Sequence, residues 1–432
     1  LNKLLGEEDI MNKSTLLMSI IAVILLIVGF VGGYFYGLST TPQRQVVGTA
    51  TSPTGPFEVP VGVLVALSGE GAVEGTHIGN GILMGIEDVN NFLASVGAPF
   101  RLKAYVEDTK TNPDEALKAL QKVYQNNNVR IVFGGQFSRE LMAMRPFAEQ
   151  NKILVISSYS TSPALAIPKK YVFRNIGPDT LQGKALASLL CREGIEKVAI
   201  IYRNDAYGAG LAEMTRKYFT SKCGKAIELI AYNPDQPDYA TEVRTLSDKI
   251  KSLGADAKTA VVIISFEKDG ANILGHASKD PVLRSVRWFS SEPLRLPEVL
   301  FQTKEMADFV YSVKWMGTFP TSVTSIKYKQ FLEKYRAKYG KDPFPIAANG
   351  YDAAWLVGLA LLATGGKTDD MDKLVAALKT VAETYYGVTG LNAFDENNDR
   401  RYQDYSIWVV EKQGDKYVIV DKEIYHSDTD TF

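Results

Sequence analysis

The sequence predicts an α/β protein of two lobes built on parallel sheets, and three observations predict it. From Val59 onward, short apolar strands alternate with amphipathic helices of about ten to fifteen residues, the signature of βαβ units. The alternation comes in two successive sets, before and after the Phe173–Asp179 stretch, too many elements for one small sheet. Two of the strands run into loops of small hydroxyl residues, Gly134 to Ser138 and Ser157 to Ser162. In open parallel sheets, ligands sit at that carboxyl edge.

Each element follows from its local pattern. Residues 59–67 form an apolar strand, 78–92 carry helical spacing, and 100–107 alternate as a strand. Asn112-Pro113-Asp114-Glu115 starts a helix with an Asn cap, Pro in the first turn and then acids. Strand 129–133, helix 138–150 and strand 153–156 complete the first set. Asp179 and Gln182 have capping-box spacing at the start of the second. Strands 198–202, 227–232, 260–265 and 286–289 then alternate with helices 210–221, 239–253 and 270–277. The tail changes character: helices 326–339, 350–363 and 370–381, a turn at 394–399, and a hairpin of 405–411 with 417–420 around Gly414.

Composition bounds the function. The 432 residues are 46% hydrophobic and 22% charged, ample for two cores. Lys+Arg 48 against Asp+Glu 49 leaves a net charge of −1, so no global field argues for nucleic acid. The basic residues Lys327, Lys329, Lys334, Arg336, Lys338 and Lys341 have the spacing of a solvated helix face. Residues 16–38 are an uncharged apolar run, longer than the ~18 residues that span a bilayer. It reads as an uncleaved N-terminal membrane anchor or a cleaved signal; either puts the rest of the chain outside the cytoplasm. Residues 39–58, rich in Ser, Thr, Pro and Gly, read as a flexible linker. Cys191 and Cys223 each precede an expected strand. If those strands are parallel neighbours, a disulfide is possible; otherwise the two are free thiols.

The chain lacks the usual catalytic signatures. Gly69-Glu-Gly71-Ala-Val-Glu-Gly75 has the wrong spacing for a dinucleotide fingerprint, and no P-loop or nucleophile elbow occurs. Only three histidines are present, none at metal-ligand spacing. Asp395-Glu-Asn-Asn-Asp399 begins like a calcium loop, but Arg400 stands where Gly is required. Without a nucleophile–base pair or a cofactor motif, binding rather than catalysis is expected, with no cofactor and no metal.

Taken in order, several short motifs carry a resemblance. They are Ser68-Gly69, Asp88-Val-Asn90, Gly134 to Ser138, Ile156-Ser-Ser-Tyr-Ser-Thr-Ser-Pro-Ala-Leu165 and Phe173-Arg-Asn-Ile-Gly-Pro-Asp179. Asp205-Ala-Tyr-Gly208, Ser290-Ser-Glu292, Gly350-Tyr-Asp-Ala353 and Gly387-Val-Thr-Gly390 followed by Phe394-Asp395 complete the set. In this order the chain resembles the substrate-binding proteins of branched-chain amino acid (Leu/Ile/Val-type) ABC transporters, of periplasmic-binding-protein type I. The resemblance implies a Venus-flytrap, with 59–177 and 317–384 in one lobe and 178–316 and 385–425 in the other. It implies a small-molecule ligand and a transporter permease as partners. Ser138 and Thr161, with N–H groups near Tyr159 and Ser160, match the seat of an α-carboxylate, as the bottom-up reading of those loops also suggests. Tyr207 and Phe266 match aromatics of the opposite lobe, and Glu292 matches the acid that pairs with an ammonium. Plainer readings stand beside these: Ser138 as a helix cap, the two aromatics as interlobe packing, Glu292 as a surface acid. Two departures bear on the ligand. Tyr159 replaces a small residue, and Glu74, if it faces the cleft, favours a polar or cationic side chain over an aliphatic one. The same fold also serves as the ligand-binding domain of sensory receptors, the alternative reading.

Overall fold

The computed structural model describes residues 55–321 and 325–432. The expected anchor and nearly all of the linker lie outside the described residues, within which no helix is long and apolar enough to cross a membrane. The first lobe comprises β1 (Phe57–Val65), α1 (Ala72–Ser95), β2 (Phe100–Asp108), α2 (Pro113–Asn127), β3 (Ile131–Phe133), α3 (Ser138–Gln150), β4 (Leu154–Ser157) and β5 (Val172–Arg174). Its sheet is wholly parallel, in the order β2-β1-β3-β4-β5. Strand order reverses between β1 and β3, which opens a crevice at their carboxyl ends.

The second lobe runs through α4 (Asp179–Arg192), β6 (Lys197–Arg203), α5 (Ala206–Lys222), β7 (Ala226–Tyr232), α6 (Ala240–Leu253), β8 (Thr259–Ile264), α7 (Glu267–Ala277), β9 (Arg287–Ser290), α8 (Pro297–Leu300), α9 (Lys304–Ser312) and β10 (Met316–Pro320). The chain then returns to the first lobe with α10 (Ile326–Tyr339), α11 (Ala347–Thr364), α12 (Met371–Ala382) and the small hairpin β11 (Tyr386–Gly387) and β12 (Gly390–Leu391). Finally β13 (Tyr405–Gln413) and β14 (Lys416–Tyr425) join the second sheet, whose order is β14-β13-β10-β9-β8-β6-β7. Only β13 runs against the other strands of this sheet, pairing antiparallel with β10 on one side and β14 on the other.

Local chemistry explains the elements that position the cleft. Helix α1 starts at Ala72, earlier than apolar spacing alone indicates, so Glu74 lies in its first turn. The glycines there serve close packing: a Cβ on Gly75 would sit 2.0 Å from the Ala66 carbonyl oxygen, which leaves only glycine room to lay α1 on the end of β1. Gly81 does the same against α11, where an added Cβ would meet the Ala347 carbonyl oxygen at 2.0 Å. Asn112 caps α2 as expected, accepting from the backbone N–H groups of Asp114 (2.9 Å) and Glu115 (3.1 Å).

Three expectations are revised. Asp179 and Gln182 form no capping box: Pro178 occupies the cap position of α4, both side chains are buried, and Gln182 donates to Glu292 and Thr318 of its own lobe. Strand β10 went unrecognised, and it carries the second lobe to Pro320 rather than residue 316, because it pairs with β9 and β13. The return to that lobe comes at β13 rather than at residue 385. The β11–β12 turn is held on the first lobe by Asp352, whose carboxylate accepts from the N–H groups of Val388 and Thr389, both at 2.8 Å.

Cys191 and Cys223 lie at the amino ends of the neighbouring parallel strands β6 and β7 and form a disulfide, with Cα atoms 5.8 Å apart. The turn after Phe394 carries no calcium geometry. Asp399 is instead the fully buried partner of two cations, 2.9 Å from Lys169 Nζ and 2.7 Å from Arg174 Nε. That pairing ties the crossing segment to β5. Replacing Asp399 by Ala would strand two buried cations, and an expected loss of about 3–5 kcal/mol should be visible in urea unfolding.

Candidate functional site

The carboxyl ends of β3, β4, β6, β8 and β9 meet across the lobe interface, and their loops bring the expected site residues together. On the first lobe, Gly135 takes a left-handed φ of +64°, and helix α3 begins at Ser138. Ser138 sits just inside the helix, after Phe137 at the cap position, so its hydroxyl is not a cap. It accepts from the Ser162 N–H (3.1 Å) and from the Ser160 hydroxyl (3.4 Å), locking the two loops together. The second loop is braced from below by Ser157, whose hydroxyl donates to the Gly135 carbonyl (2.7 Å) and accepts from the Ser160 N–H (3.2 Å). Arg174 donates to the Ser162 carbonyl at 2.8 Å. The result is a rigid bed of hydroxyls and N–H groups at a helix N-terminus, suited to a carboxylate. The Thr161 hydroxyl is buried in it, beside Asp179.

The second lobe supplies aromatics and an acid. Asp205 caps α5, accepting from the N–H groups of Tyr207 (3.1 Å) and Gly208 (3.0 Å), and so fixes Tyr207 at the cleft. The Tyr207 hydroxyl donates to Ser291 Oγ (2.9 Å), and its ring stacks on Phe266 with centroids 5.3 Å apart. Phe266 in turn meets Phe137 of the first lobe at 5.3 Å, and Phe137 packs on Tyr159 at 5.7 Å. Glu292, after β9, is only 1% exposed and accepts from the Gln182 side chain, which also reaches Thr318 Oγ1 at 3.2 Å.

Electrostatically the cleft is acidic and short of cations. Burial pushes the Glu292 carboxyl up to about 7. Burial, then the nearby Glu292, raises Asp179 well above its ordinary range, with the Thr161 hydroxyl and the charge of Arg174 only partly opposing the rise. Glu74 is completely buried; burial and then the neighbouring Glu267 carboxyl raise it strongly. Tyr159, 5% exposed with a partnerless hydroxyl, is raised first by burial and then by Glu74 and Glu292.

The lobes are closed on one another. The Ser162 hydroxyl donates to the Ala206 carbonyl at 2.6 Å. Arg203, fully buried at the end of β6, reaches across to Glu70 (2.7 Å) while holding Asp205 (2.7 Å) and Asp269 (3.2 Å), with its guanidinium 3.6 Å from the Phe266 ring centroid. A pocket of about 430 Å³ at the edge of this interface is lined by Glu70, Arg139, Asp235, Tyr239 and Asp269.

A sequence profile described as periplasmic binding protein matches residues 58–415. The chain belongs to the periplasmic binding protein family. An uncharacterized protein of Methanocaldococcus jannaschii is 30% identical over 405 residues, covering 90% of this chain and 95% of the other. Leu/Ile/Val-binding protein homolog 1 of Brucella abortus is 24% identical over 360 residues, 83% of this chain and 92% of that one. Among solved structures, the leucine-binding protein LivK of Thermotoga maritima shares the fold with a TM-score of 0.71 at 20% identity, covering 86% of this chain and 99% of that one.

In this periplasmic binding protein, Glu74, Ser138, Tyr159, Ser160, Thr161, Tyr207, Phe266 and Glu292 are all buried. Sequence reasoning missed Asp179, Gln182, Arg203 and Glu267. Asp179 and Gln182 were hidden by capping-box spacing. Arg203 had one available signal, a cation ending an apolar strand. The cross-lobe bond from Arg203 is testable. Glu70→Ala leaves Asp205 and Asp269 in place and should weaken closure by roughly 1 kcal/mol, read as a larger ligand-free radius of gyration in X-ray scattering.

Proposed function

We propose that this protein is an extracytoplasmic solute-binding protein of an ABC transporter, capturing an amino acid or a related small compound between two closing lobes. One observation carries the reading. A seat suited to a carboxylate, around Ser138, Ser160 and Thr161, shares a buried cleft with two acids, Asp179 and Glu292, that form no ion pair among the described residues. An α-amino acid supplies both missing charges at once: its carboxylate suits the hydroxyl bed and its ammonium suits the acids. Tyr207 and Phe266 close over it from the second lobe. The Leu/Ile/Val-binding name of the Brucella relative and the leucine-binding name of the Thermotoga structure support an amino acid as the ligand class. The apolar run at residues 16–38 and the linker after it support tethering to the outer face of a membrane, with the closed form docking on a permease.

The reading is tested by a thermal-shift screen of amino acids, amides and small carboxylates. A ligand at ~100 times its dissociation constant should add ~2.7 kcal/mol of stability. Glu292→Ala should weaken amino acid binding by about 2–5 kcal/mol in titration calorimetry, whereas Ser138→Ala should cost about 1 kcal/mol, because backbone N–H groups remain. Unchanged affinity in Glu292→Ala would remove the ammonium assignment. Acidity gives a further check. An ammonium pairs only with the ionised Glu292, whose carboxyl in the ligand-free cleft is pushed up to about 7. Affinity should therefore rise with pH through that range and fall below it, and calorimetry in buffers of different ionisation enthalpy should detect proton release on binding at pH 6.

A further inference from the structure

Opposite the Asp179–Glu292 set lies a second acidic pair that the carboxylate and ammonium of an amino acid leave unused. Glu74, in the first turn of α1, and Glu267, which opens α7, come from different lobes and meet within hydrogen-bond reach in the closed cleft. Glu74 is 0% exposed. Apart from each other, no side chain donates to either Glu74 oxygen or to the buried Oε1 of Glu267. Two carboxylates taken out of water and pressed together are unfavourable unless a proton or a cation lies between them. An independent side chain points to the same gap: the Tyr159 hydroxyl is buried and unpartnered, and Glu74 and Glu292 are the charges that act on it most.

The charged groups around the pair do not supply the missing cation. Glu70 and Glu298 add negative charge. His77, one turn along α1, turns Nδ1 to the Phe344 N–H (3.0 Å) and the Tyr335 hydroxyl (2.9 Å), and burial followed by Lys341 lowers its pKa to about 4, so it stays neutral. Arg203 is engaged by Glu70, Asp205 and Asp269. An aliphatic side chain entering this end of the cleft would leave all the acceptors unmet.

We propose that the ligand is an α-amino acid whose side chain ends in a cation, held between Glu74 of the first lobe and Glu267 of the second with the Tyr159 hydroxyl beside it. This rests on the amino-acid reading of the cleft and names its class. The cation does two jobs in one place. It satisfies the buried carboxylates, and it bridges the lobes, because its two partners belong to opposite sides of the closure. Cationic amino acids would thus drive closure, while a neutral side chain of equal length would have to close against the acid–acid contact.

The test uses titration calorimetry on the purified chain with L-lysine, L-ornithine, L-arginine, L-leucine and L-norleucine, the last matching lysine without its ammonium. At least one cationic amino acid should bind at least about 100-fold more tightly than norleucine, a factor within reach of a desolvated charge pair. Glu74→Gln should cut that preference about tenfold or more, and Glu267→Gln should reduce it less, since Glu267 is partly exposed. Both variants should melt no lower than the parent without ligand, because each relieves repulsion, so lost binding would not reflect misfolding. Binding of leucine or norleucine as tight as that of the cationic amino acids, or an unchanged preference in Glu74→Gln, overturns the assignment while leaving the amino-acid reading standing. Failure of every α-amino acid to bind overturns both.

Discussion

The structure depends on one constraint: closing the lobes takes ionisable carboxyls out of water. Glu74, Asp179 and Glu292 are each at most 1% exposed. A buried carboxylate without a partner is unfavourable by several kcal/mol, and the usual outcome is a partner or a proton. The buried arginines of the described residues are engaged elsewhere. Arg174 is committed to Asp399 and to loop carbonyls, Arg203 to Glu70, Asp205 and Asp269, and Arg400 to Thr389 and neighbouring carbonyls. The acids of the cleft are therefore left to protons or to a cation brought from outside the protein.

The fold makes such a surface possible. Both sheets turn their carboxyl edges toward the interface, where strand ends can present loops without breaking the ladders behind them. Backbone donors that would otherwise be unsatisfied at those edges are cross-braced, as Ser157 and Ser138 do for the hydroxyl loops. Aromatic rings from both lobes (Phe137 and Tyr159 against Tyr207 and Phe266) surround the polar groups and keep water out. Low polarity around few polar groups strengthens each interaction that is made.

Most of the scaffold was legible in the sequence because its signals are local. The strand–helix alternation, the Asn112 cap and the helix from Ser138 to Gln150 follow from spacing and capping chemistry alone. The hydroxyl loops were legible for the same reason. What escaped depends on distant partners. Asp179 and Gln182 have the spacing of a cap, and only the approach of Glu292 and Thr318, more than a hundred residues on, turns Gln182 away from the helix. Glu267 looks like an ordinary first-turn acid until α1 brings Glu74 against it from the other lobe. Strand β10 hid because Gly317 and Pro320 weaken a strand pattern, although Gly317 is needed where the Trp408 ring crosses β10, 2.5 Å from where a Cβ would stand.

The charge balance of the cleft also argues about what it excludes. A simple carboxylate could occupy the bed around Ser138 and Thr161, but it would bring a further negative charge beside Asp179 and Glu292 and leave them protonated or repelled. A zwitterion relieves one acidic set and leaves the Glu74–Glu267 contact as it was. Among ligands seated by an α-carboxylate, only one with two positive groups relieves both sets without help from bound protons. The hydroxyls of the seat carry no formal charge, so they add nothing that would offset the acids. On the proposed reading, selection in this cleft would follow from where the protein has withheld its own cations, and discrimination would arise as much from acceptors left unmet by the wrong ligand as from contacts made to the right one.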